Sequence, residues 1–184
     1  MRLFLALVPP AAVRARLTLL QAGLPGARWL DAAQMHVTMR FIGNADSHVA
    51  DSLVAALDRI EHEAVTVRLD GLGHFSRRVH IDQLWAGLSP RAPLAHLHGV
   101  LERICVRCGL EPEHRAFVPH ITIARFARSA APSETRLAAY LAAHGGLAGE
   151  EFIMDRLFLM ESRMGKGGSH YLPLADFGLF SSRR

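Results

Sequence analysis

Apolar residues recur at two spacings along the 184-residue chain, and each spacing predicts a different kind of element. Apolar positions three or four apart, bounded by capping residues, Gly or Pro, predict amphipathic helices. We expect helices over Ala11–Gly23, from Asp46-Ser47 to about His62, over Pro93–Cys108 and over Ser133–His144.

Short runs of β-branched and apolar residues between Gly, Pro or Asn predict strands. We expect strands before Pro9-Pro10, around His36 up to Gly43-Asn44, over Val65–Leu69 and Gln83–Leu88, around His120, and over Phe152–Glu161 and Tyr171–Leu174. Two connections are predicted, a Gly71–Arg78 loop and a Gly-Lys-Gly-Gly turn at 165–168. Helices alternating with hairpins indicate an α+β fold, with helices on the outer faces of antiparallel sheets. No linker divides the chain, so we expect a single domain over 1–184.

Two of the predicted strands carry the same His-x-Thr motif inside an apolar run, at 36–39 and at 120–123. Side chains alternate between the two faces of a strand. Each motif therefore presents its His and Thr on one polar face, which Arg40 shares, while Phe41 falls on the apolar side. The copies lie close to half the chain apart. This repeat suggests two equivalent lobes that each contribute one imidazole and one hydroxyl to a shared cleft.

The formal net charge is +4, and Lys166 is the single lysine, so arginine supplies almost all of the positive charge. The guanidinium fork matches phosphate oxygens, which suits a polyanionic ligand such as nucleic acid. Abundant Ala, Arg, Leu and Gly also fit a GC-rich coding sequence. The charge therefore supports a nucleic-acid partner without demonstrating one.

The two cysteines, Cys105 and Cys108, form a C-x-x-C within a predicted helix. Without a second ligand pair at zinc spacing, burial explains them better than a metal or redox role. The N-terminal apolar run before Pro9-Pro10 is about six residues long and lacks a cleavage site, so it is a strand rather than a signal peptide. No stretch approaches the roughly 18 apolar residues of a membrane span. We expect a cytoplasmic protein without a membrane partner.

Further segments surround the two motifs, namely the opening strand with Pro9-Pro10, Arg28-Trp29, the flanks of both motifs, Leu84–Gly87, Leu159-x-Glu161-Ser162 and Tyr171-x-Pro-Leu. Together with the motifs, these segments resemble the two-histidine (2H) phosphoesterase superfamily, specifically the RNA 2',3'-cyclic phosphodiesterases, also called 2'-5' RNA ligase-like proteins. Met39 and Ile42 stand where leucine is more usual, both tolerated apolar exchanges. The resemblance implies a bilobal fold with pseudo-two-fold symmetry, in which two antiparallel sheets line a central cleft that binds the cyclic phosphate.

The resemblance also assigns roles, with His36 as proton donor to the leaving oxygen and His120 as the acceptor that activates water. Histidine suits both tasks because its ordinary pKa lies near neutrality. Thr38 and Thr122 are expected to hydrogen-bond the non-bridging phosphate oxygens. The residues alone leave the order of the two histidines open.

Three further residues are candidates for substrate binding. Arg125 and Arg40 carry charge that matches phosphate, and Phe41 offers a ring on which a base can stack. We expect no metal and no cofactor, because two imidazoles suffice for proton transfer. The expected partner is RNA or a nucleotide with a 2',3'-cyclic phosphate end, acted on by a monomer.

Alternative functions follow from the same residues. A 2'-5' RNA ligase or 2'-5' phosphodiesterase acting on tRNA halves or oligonucleotides would use the same acid and base. A non-catalytic RNA-binding module would use the histidines only to contact phosphate, although two intact motifs argue against it. A zinc protein is suggested only by the 11 histidines, which lack paired ligand spacing.

Overall fold

A computed structural model of the chain describes residues 1–77, 80–165 and 168–180. The helices are α1 (Ala11–Thr18), α2 (Ser47–Leu57), α3 (Ala92–Arg107) and α4 (Glu134–His144). The strands are β1 (Arg2–Leu7), β2 (Ala27–Trp29), β3 (Val37–Asn44), β4 (Val65–Arg77), β5 (His80–Ser89), β6 (His120–Phe126), β7 (Phe152–Met154), β8 (Arg156–Gly165) and β9 (Gly168–Gly178). None of the helices in these ranges has the length and apolar character to cross a membrane.

The nine described strands pair antiparallel in the order β7-β4-β5-β6-β3-β1-β8-β9, with β2 added to β6. The two halves of this sheet meet where Val37 of β3 pairs with Ile121 of β6, the single residue pair that joins those strands in the described ranges. The predicted α+β fold is confirmed, but the two predicted sheets are continuous through this narrow junction. A two-fold relation between the halves stays a prediction.

The helices cover the sheet with their apolar faces, and capping residues predict the starts of two of them well. Asp46 and Ser133 each accept a hydrogen bond from a backbone N–H in the first turn of α2 and α4. The buried face of α3 includes Cys105, and burial raises the pKa of this thiol to about 12. Both cysteines are free, and Cys108 lies at the end of the same helix.

Two predicted helices are too long. Helix α1 ends at Thr18 rather than Gly23, because tight backbone bonds such as Leu20 N–H to the Leu17 carbonyl turn the chain. Helix α2 ends at Leu57 rather than His62, where the N–H of Ile60 bonds the Leu57 carbonyl and the Ile60 side chain enters the core.

The predicted Gly71–Arg78 loop is instead part of a long hairpin. Strand β4 continues to Arg77, which pairs with His80, and Arg78 lies outside the described residues. One extra residue of β4 is accommodated between Leu69 and Leu72, where Gly71 adopts a φ of 70°. Such a bulge bends a strand without ending its ladder, so the Gly-rich sequence does not mark a loop here.

The C-terminal strands also differ from the prediction. The run Phe152–Glu161 is divided at Asp155, because β7 pairs with β4 while β8 pairs with β1. Strand β9 is longer than Tyr171–Leu174 and reaches Gly178. Gly165 and Gly168 pair at the ends of β8 and β9, and the middle of the predicted 165–168 turn lies outside the described residues.

Candidate active site

The Val37–Ile121 pair brings the two His-x-Thr motifs together, because each histidine immediately precedes one member of that pair. Both histidines are half-buried and line one cleft of about 750 Å³. All seven residues predicted for the site line this cleft, namely His36, Thr38, Arg40, Phe41, His120, Thr122 and Arg125.

A β-bulge interrupts the alternation of side chains along β3. The residues that face Thr38 and Arg40 are consecutive in β1, so Met39 has no partner in that strand. One extra residue moves the side chains that follow it to the other face, here as far as the second register shift between Phe41 and Gly43. Arg40 is therefore buried with 6% of its surface exposed, while Phe41 turns into the cleft and is 49% exposed. The predictions that Arg40 shares the face of His36 and that Phe41 packs on the apolar side are both wrong.

Strand β6 carries a bulge at the same offset from its histidine. The residues that face Thr122 and Ala124 are consecutive in β5, so Ile123 has no partner in that strand. Ile123 and Ala124 are both buried, and Arg125 turns back toward the cleft. The fifth residue after each motif histidine thus enters the cleft in both halves.

The ring of His36 is fixed by its backbone neighbours. Its Nδ1 lies 2.7 Å from the carbonyl oxygen of Gln34, which accepts only, so Nδ1–H donates this bond. Its Nε2 faces the cleft and lies 3.1 Å from Oγ1 of Thr38. The ring also packs on Phe4, with centroids 5.0 Å apart, and meets Tyr171 edge-on at 4.9 Å.

His120 is held in the same manner in the other half. Its Nδ1–H donates to the carbonyl oxygen of Val118 at 2.6 Å, which leaves Nε2 for the cleft. Phe75 meets the ring edge-on at 4.9 Å, and the Trp85 ring centroid lies 5.9 Å away. Each imidazole therefore uses one nitrogen for orientation and keeps the other for chemistry, as a general acid or base requires.

The environment of the cleft makes both imidazoles hard to protonate. Burial lowers the pKa of His36 to about 4, and the charges of Arg125 and His120 lower it too, against the opposing bond to Gln34. Burial also lowers the pKa of His120, opposed by the bond to Val118 and assisted by the charge of Arg125. The cleft therefore favours the neutral form of both rings. A bound anion would favour the protonated form and raise these pKa values.

Arg125 and Tyr171 connect the two halves across the cleft. The Arg125 guanidinium donates from Nη2 to the Tyr171 hydroxyl at 3.3 Å. Arg125 belongs to β6 and Tyr171 to β9, and Tyr171 also contacts the ring of His36. Arg125 lies close enough to both histidines for its charge to act on each ring.

Arg40 holds the cleft wall together. Its guanidinium nitrogens donate to the Glu102 carboxylate and to the carbonyl oxygens of Phe41 and Glu111. Burial raises the pKa of Glu102, but hydrogen bonds from the Glu113 N–H and from Arg40 outweigh it and hold that pKa below its ordinary value. Because all three nitrogens bond protein oxygens, we expect Arg40 to organise the wall rather than to bind phosphate.

Sequence reasoning does not identify several of the residues that line the cleft. Phe75 falls in the predicted Gly71–Arg78 loop, Gln83 begins a predicted strand, and Arg115 lies between elements. The Arg115 guanidinium lies 5.9 Å from the centroid of the Phe41 ring. Tyr171 has a signal, because it belongs to a segment that matches the resembled family.

Within the described ranges, no group of three or more His, Cys, Asp and Glu side chains could hold a metal ion. The absence of a metal from the reaction stays a prediction.

Known proteins from several organisms are similar to this chain. It is 33% identical to the RNA 2',3'-cyclic phosphodiesterase of Aeropyrum pernix over 61% of the chain and 64% of the relative. It is 27% identical to that of Geobacillus stearothermophilus, over 88% of the chain and 50% of the relative. The match to the Escherichia coli protein of the same name has 31% identity and covers 70% of the chain and 74% of the relative. The chain thus spans less than two thirds of the length of the first two relatives.

Solved structures show the same architecture. The crystal structure of E. coli LigT complexed with 3'-AMP has a TM-score of 0.75 and 26% identity, with 97% of each chain covered. The structure of TT0787 from Thermus thermophilus has a TM-score of 0.80 over the whole of both chains, and its 23% identity supports the fold alone. Residues 9–166, which include both motifs, match the model of the 2'-5' RNA ligase superfamily. The chain belongs to the 2'-5' RNA ligase superfamily.

Proposed function

We propose that this protein is an RNA 2',3'-cyclic phosphodiesterase that opens cyclic phosphate ends to 2'-phosphates by acid and base catalysis from two histidines. One observation carries the proposal: His36 and His120 each donate Nδ1–H to the carbonyl two residues upstream, and both direct Nε2 into one cleft. Relatives named RNA 2',3'-cyclic phosphodiesterase support the reaction class.

The reaction needs one proton removed and one supplied on opposite sides of phosphorus. Water attacks phosphorus while His120 Nε2 takes its proton, and the bond from phosphorus to the 3'-oxygen breaks as His36 Nε2–H protonates that oxygen. The product is a 2'-phosphate, and the next turnover begins once the proton returns from His120 to His36 through solvent. His36 must be protonated, and the substrate's negative charge supports this by raising its pKa from about 4.

Charge on the non-bridging oxygens is stabilised by three side chains. Thr38 and Thr122 supply hydroxyl donors, and Arg125 supplies a cation that Tyr171 keeps in place. Donors aimed at developing charge in a partly dry cleft are worth about 3–4 kcal/mol each at most. No metal is required for this scheme, since the imidazoles move both protons.

The nucleoside part of the substrate is expected against Phe41. This ring is exposed within the cleft, and the Arg115 side chain above it is 81% exposed and forms an ion pair with Glu113 at 3.4 Å. A base that stacks on Phe41 would displace this exposed guanidinium. Stacking of a base on an aromatic ring contributes about 1–3 kcal/mol. The substrate would then lie with its phosphate near Arg125 and its base near Phe41.

A 2'-5' ligase or 2'-5' phosphodiesterase is the second candidate, supported by the superfamily to which the chain belongs. The same two histidines can activate a ribose hydroxyl instead of water. Added RNA with a 5'-hydroxyl would then yield a joined product.

The proposal is tested with purified protein, 2',3'-cyclic AMP and an oligonucleotide that ends in a cyclic phosphate, with and without a 5'-hydroxyl RNA. We expect hydrolysis to the 2'-phosphate that survives exhaustive EDTA treatment. Loss of turnover in EDTA with recovery in zinc or manganese would replace the two-histidine scheme by metal catalysis. A joined product as the main outcome would favour the ligase.

Domain organisation and cellular context are also part of the proposal. One chain supplies both His-x-Thr motifs, so we expect a monomer with a single domain to form the proposed active site. Light scattering would then show one copy per particle. The free thiols of Cys105 and Cys108 suit the reducing cytoplasm, where cell fractionation should find the protein.

A further inference from the structure

The two motif hydroxyls have different partners. Thr38 Oγ1 lies 3.1 Å from His36 Nε2, so its hydroxyl is tied to a titrating ring. The Thr122 hydroxyl instead donates to Oε1 of Gln83, a neutral amide on β5, at 3.1 Å. In the register of the other half, the position of Gln83 is taken by Phe4, which cannot bond a hydroxyl.

This arrangement leaves Thr122 with its single proton already committed. A hydroxyl has one O–H and two acceptor lone pairs. To donate to a phosphate oxygen, Thr122 must either lose its bond to Gln83 or receive a hydrogen bond from Gln83 in exchange. An amide can make that exchange, because its oxygen and its NH₂ are attached to the same carbon.

We propose that Gln83 is a positioning residue for Thr122, and that the side-chain amide of Gln83 flips when a phosphate enters the cleft, so that Nε2 takes the place of Oε1. Nε2–H then donates to Oγ1, and the Thr122 O–H is directed toward a non-bridging oxygen. The hydrogen bond between the two side chains is kept with its direction reversed. This inference deepens the proposed function and rests on it for the role of Thr122.

The surroundings of Gln83 allow its side-chain amide to flip. The side chain is half-buried in the cleft wall, and its backbone pairs with Arg125, next to the expected phosphate. Within the described residues, Nε2 of Gln83 makes no hydrogen bond, and Oε1 of Gln83 accepts one hydrogen bond, from Thr122. A hydroxyl that accepts one hydrogen bond while donating another is polarised and becomes the stronger donor.

Other side chains at position 83 would fail in distinct ways. A carboxylate can only accept, so it would retain the Thr122 proton and repel the phosphate. An apolar side chain would leave Oγ1 without its donor. The neutral amide meets both requirements.

The test is a double-mutant cycle with Gln83→Leu, Thr122→Val and both together. We expect Gln83→Leu alone to weaken inorganic phosphate binding and to lower kcat/KM for 2',3'-cyclic AMP by about tenfold. In the Thr122→Val background, the same change at position 83 should alter either quantity less than about twofold. Phosphate binding is followed by calorimetry, and circular dichroism checks folding. Thr66→Val, which changes an exposed threonine on β4, is the matched control.

Equal losses in the wild-type and Thr122→Val backgrounds would show that Gln83 acts on the phosphate or on the cleft directly, and would overturn the proposal. No loss in either background would overturn it as well. Gln83→Met provides a second apolar variant if Gln83→Leu fails to fold. Phosphate binding requires no catalysis, so the double-mutant cycle can be interpreted even if cyclic AMP is not a substrate. Failure of this proposal can therefore be distinguished from failure of the proposed function.

A pH profile gives an independent readout. Gln83→Glu has a neutral carboxyl group at low pH, which can accept and donate as the amide does. As pH falls, we expect phosphate binding by Gln83→Glu to exceed that of Gln83→Leu increasingly, and by more in the wild-type background than in Thr122→Val. An identical rise in both backgrounds would report charge removal alone and would contradict the proposal.

Discussion

Strands β3 and β6 have a β-bulge at the same position relative to their motif histidines, but they place different residues in the cleft. Each has a bulge at the third residue after its motif histidine, and each turns the fifth residue after that histidine inward. That fifth residue is the aromatic Phe41 in β3 and the cationic Arg125 in β6. In the proposed function, the shared part places the reacting groups, and the difference provides one end of the cleft for a base and the other for a phosphate.

The two halves also hold their imidazoles in similar but unequal surroundings. Both rings use Nδ1 for a backbone carbonyl and are met edge-on by an aromatic ring, Tyr171 for His36 and Phe75 for His120. Burial lowers the pKa of both histidines, and the charge of Arg125, from its position in one half, lowers both further. Two similarly held imidazoles are thus both influenced by the charge of Arg125, which belongs to one half only.

The largest effect on catalysis is expected when either imidazole is removed. His36→Ala and His120→Ala should each lower kcat/KM for 2',3'-cyclic AMP at least about a hundredfold, the usual scale for a positioned acid or base. The exposed His48 on α2 supplies the control His48→Ala, which should leave kcat/KM unchanged. Turnover near wild type in a folded His36 or His120 variant would exclude that ring from the mechanism.

Removal of the Arg125 cation tests the asymmetric part of the comparison. Arg125→Ala should lower kcat/KM by about a hundredfold, because a charged donor to the phosphate is lost. Its positive charge disfavours protonation of both rings, so its loss raises both pKa values and moves the bell-shaped kcat/KM profile to higher pH. Arg136→Ala, which changes an exposed arginine on α4, should leave the profile in place. An unshifted profile in Arg125→Ala would contradict the coupling.

Loss of a hydroxyl should cost less than loss of an imidazole. Thr38→Ala and Thr122→Ala are each expected to lower turnover of cyclic AMP by roughly tenfold to a hundredfold, since one of several phosphate donors is lost. Steady-state kinetics beside Thr66→Val would measure this. A loss as large as that of the histidine variants would mean that the hydroxyls take part in proton transfer.

Phe41 should affect binding of the nucleoside and little else. Phe41→Leu is expected to raise KM for cyclic AMP by about fivefold to tenfold, the scale of one stacking contact, while leaving inorganic phosphate affinity unchanged. Phe180→Leu changes another exposed ring, away from the cleft, and should have no effect. Equal weakening of phosphate and nucleotide binding would show that Phe41 shapes the phosphate end instead.

Part of the fold and of the site is encoded in local sequence signals. The motif strands and the starts of α2 and α4 are predictable because apolar spacing and capping residues are local signals. The bulges are not, because an unpaired Met39 or Ile123 is defined by the register of β1 or β5 rather than by its own strand. Strict alternation therefore assigns Arg40 and Phe41 to the wrong faces.

Residues that distant segments bring to the cleft are hardest to foresee. No local pattern marks Gln83, since its contact with Thr122 depends on β5 lying beside β6. Tyr171 reaches His36 only because β9 extends the half-sheet that contains β3. Local sequence therefore identifies the candidate reacting groups, while the side chains that orient them depend on strand order.

The most direct test of the central claim is phosphorus NMR of the product that wild type forms from 2',3'-cyclic AMP, with both histidine variants measured beside it. Two opposed imidazoles in one cleft predict the 2'-phosphate from wild type and no product from either variant over the same time. Mostly 3'-phosphate would show that the acid and base act on the opposite sides of phosphorus from those assigned here. Product formation by both variants at close to the wild-type rate would show that the two motifs do not form the active site.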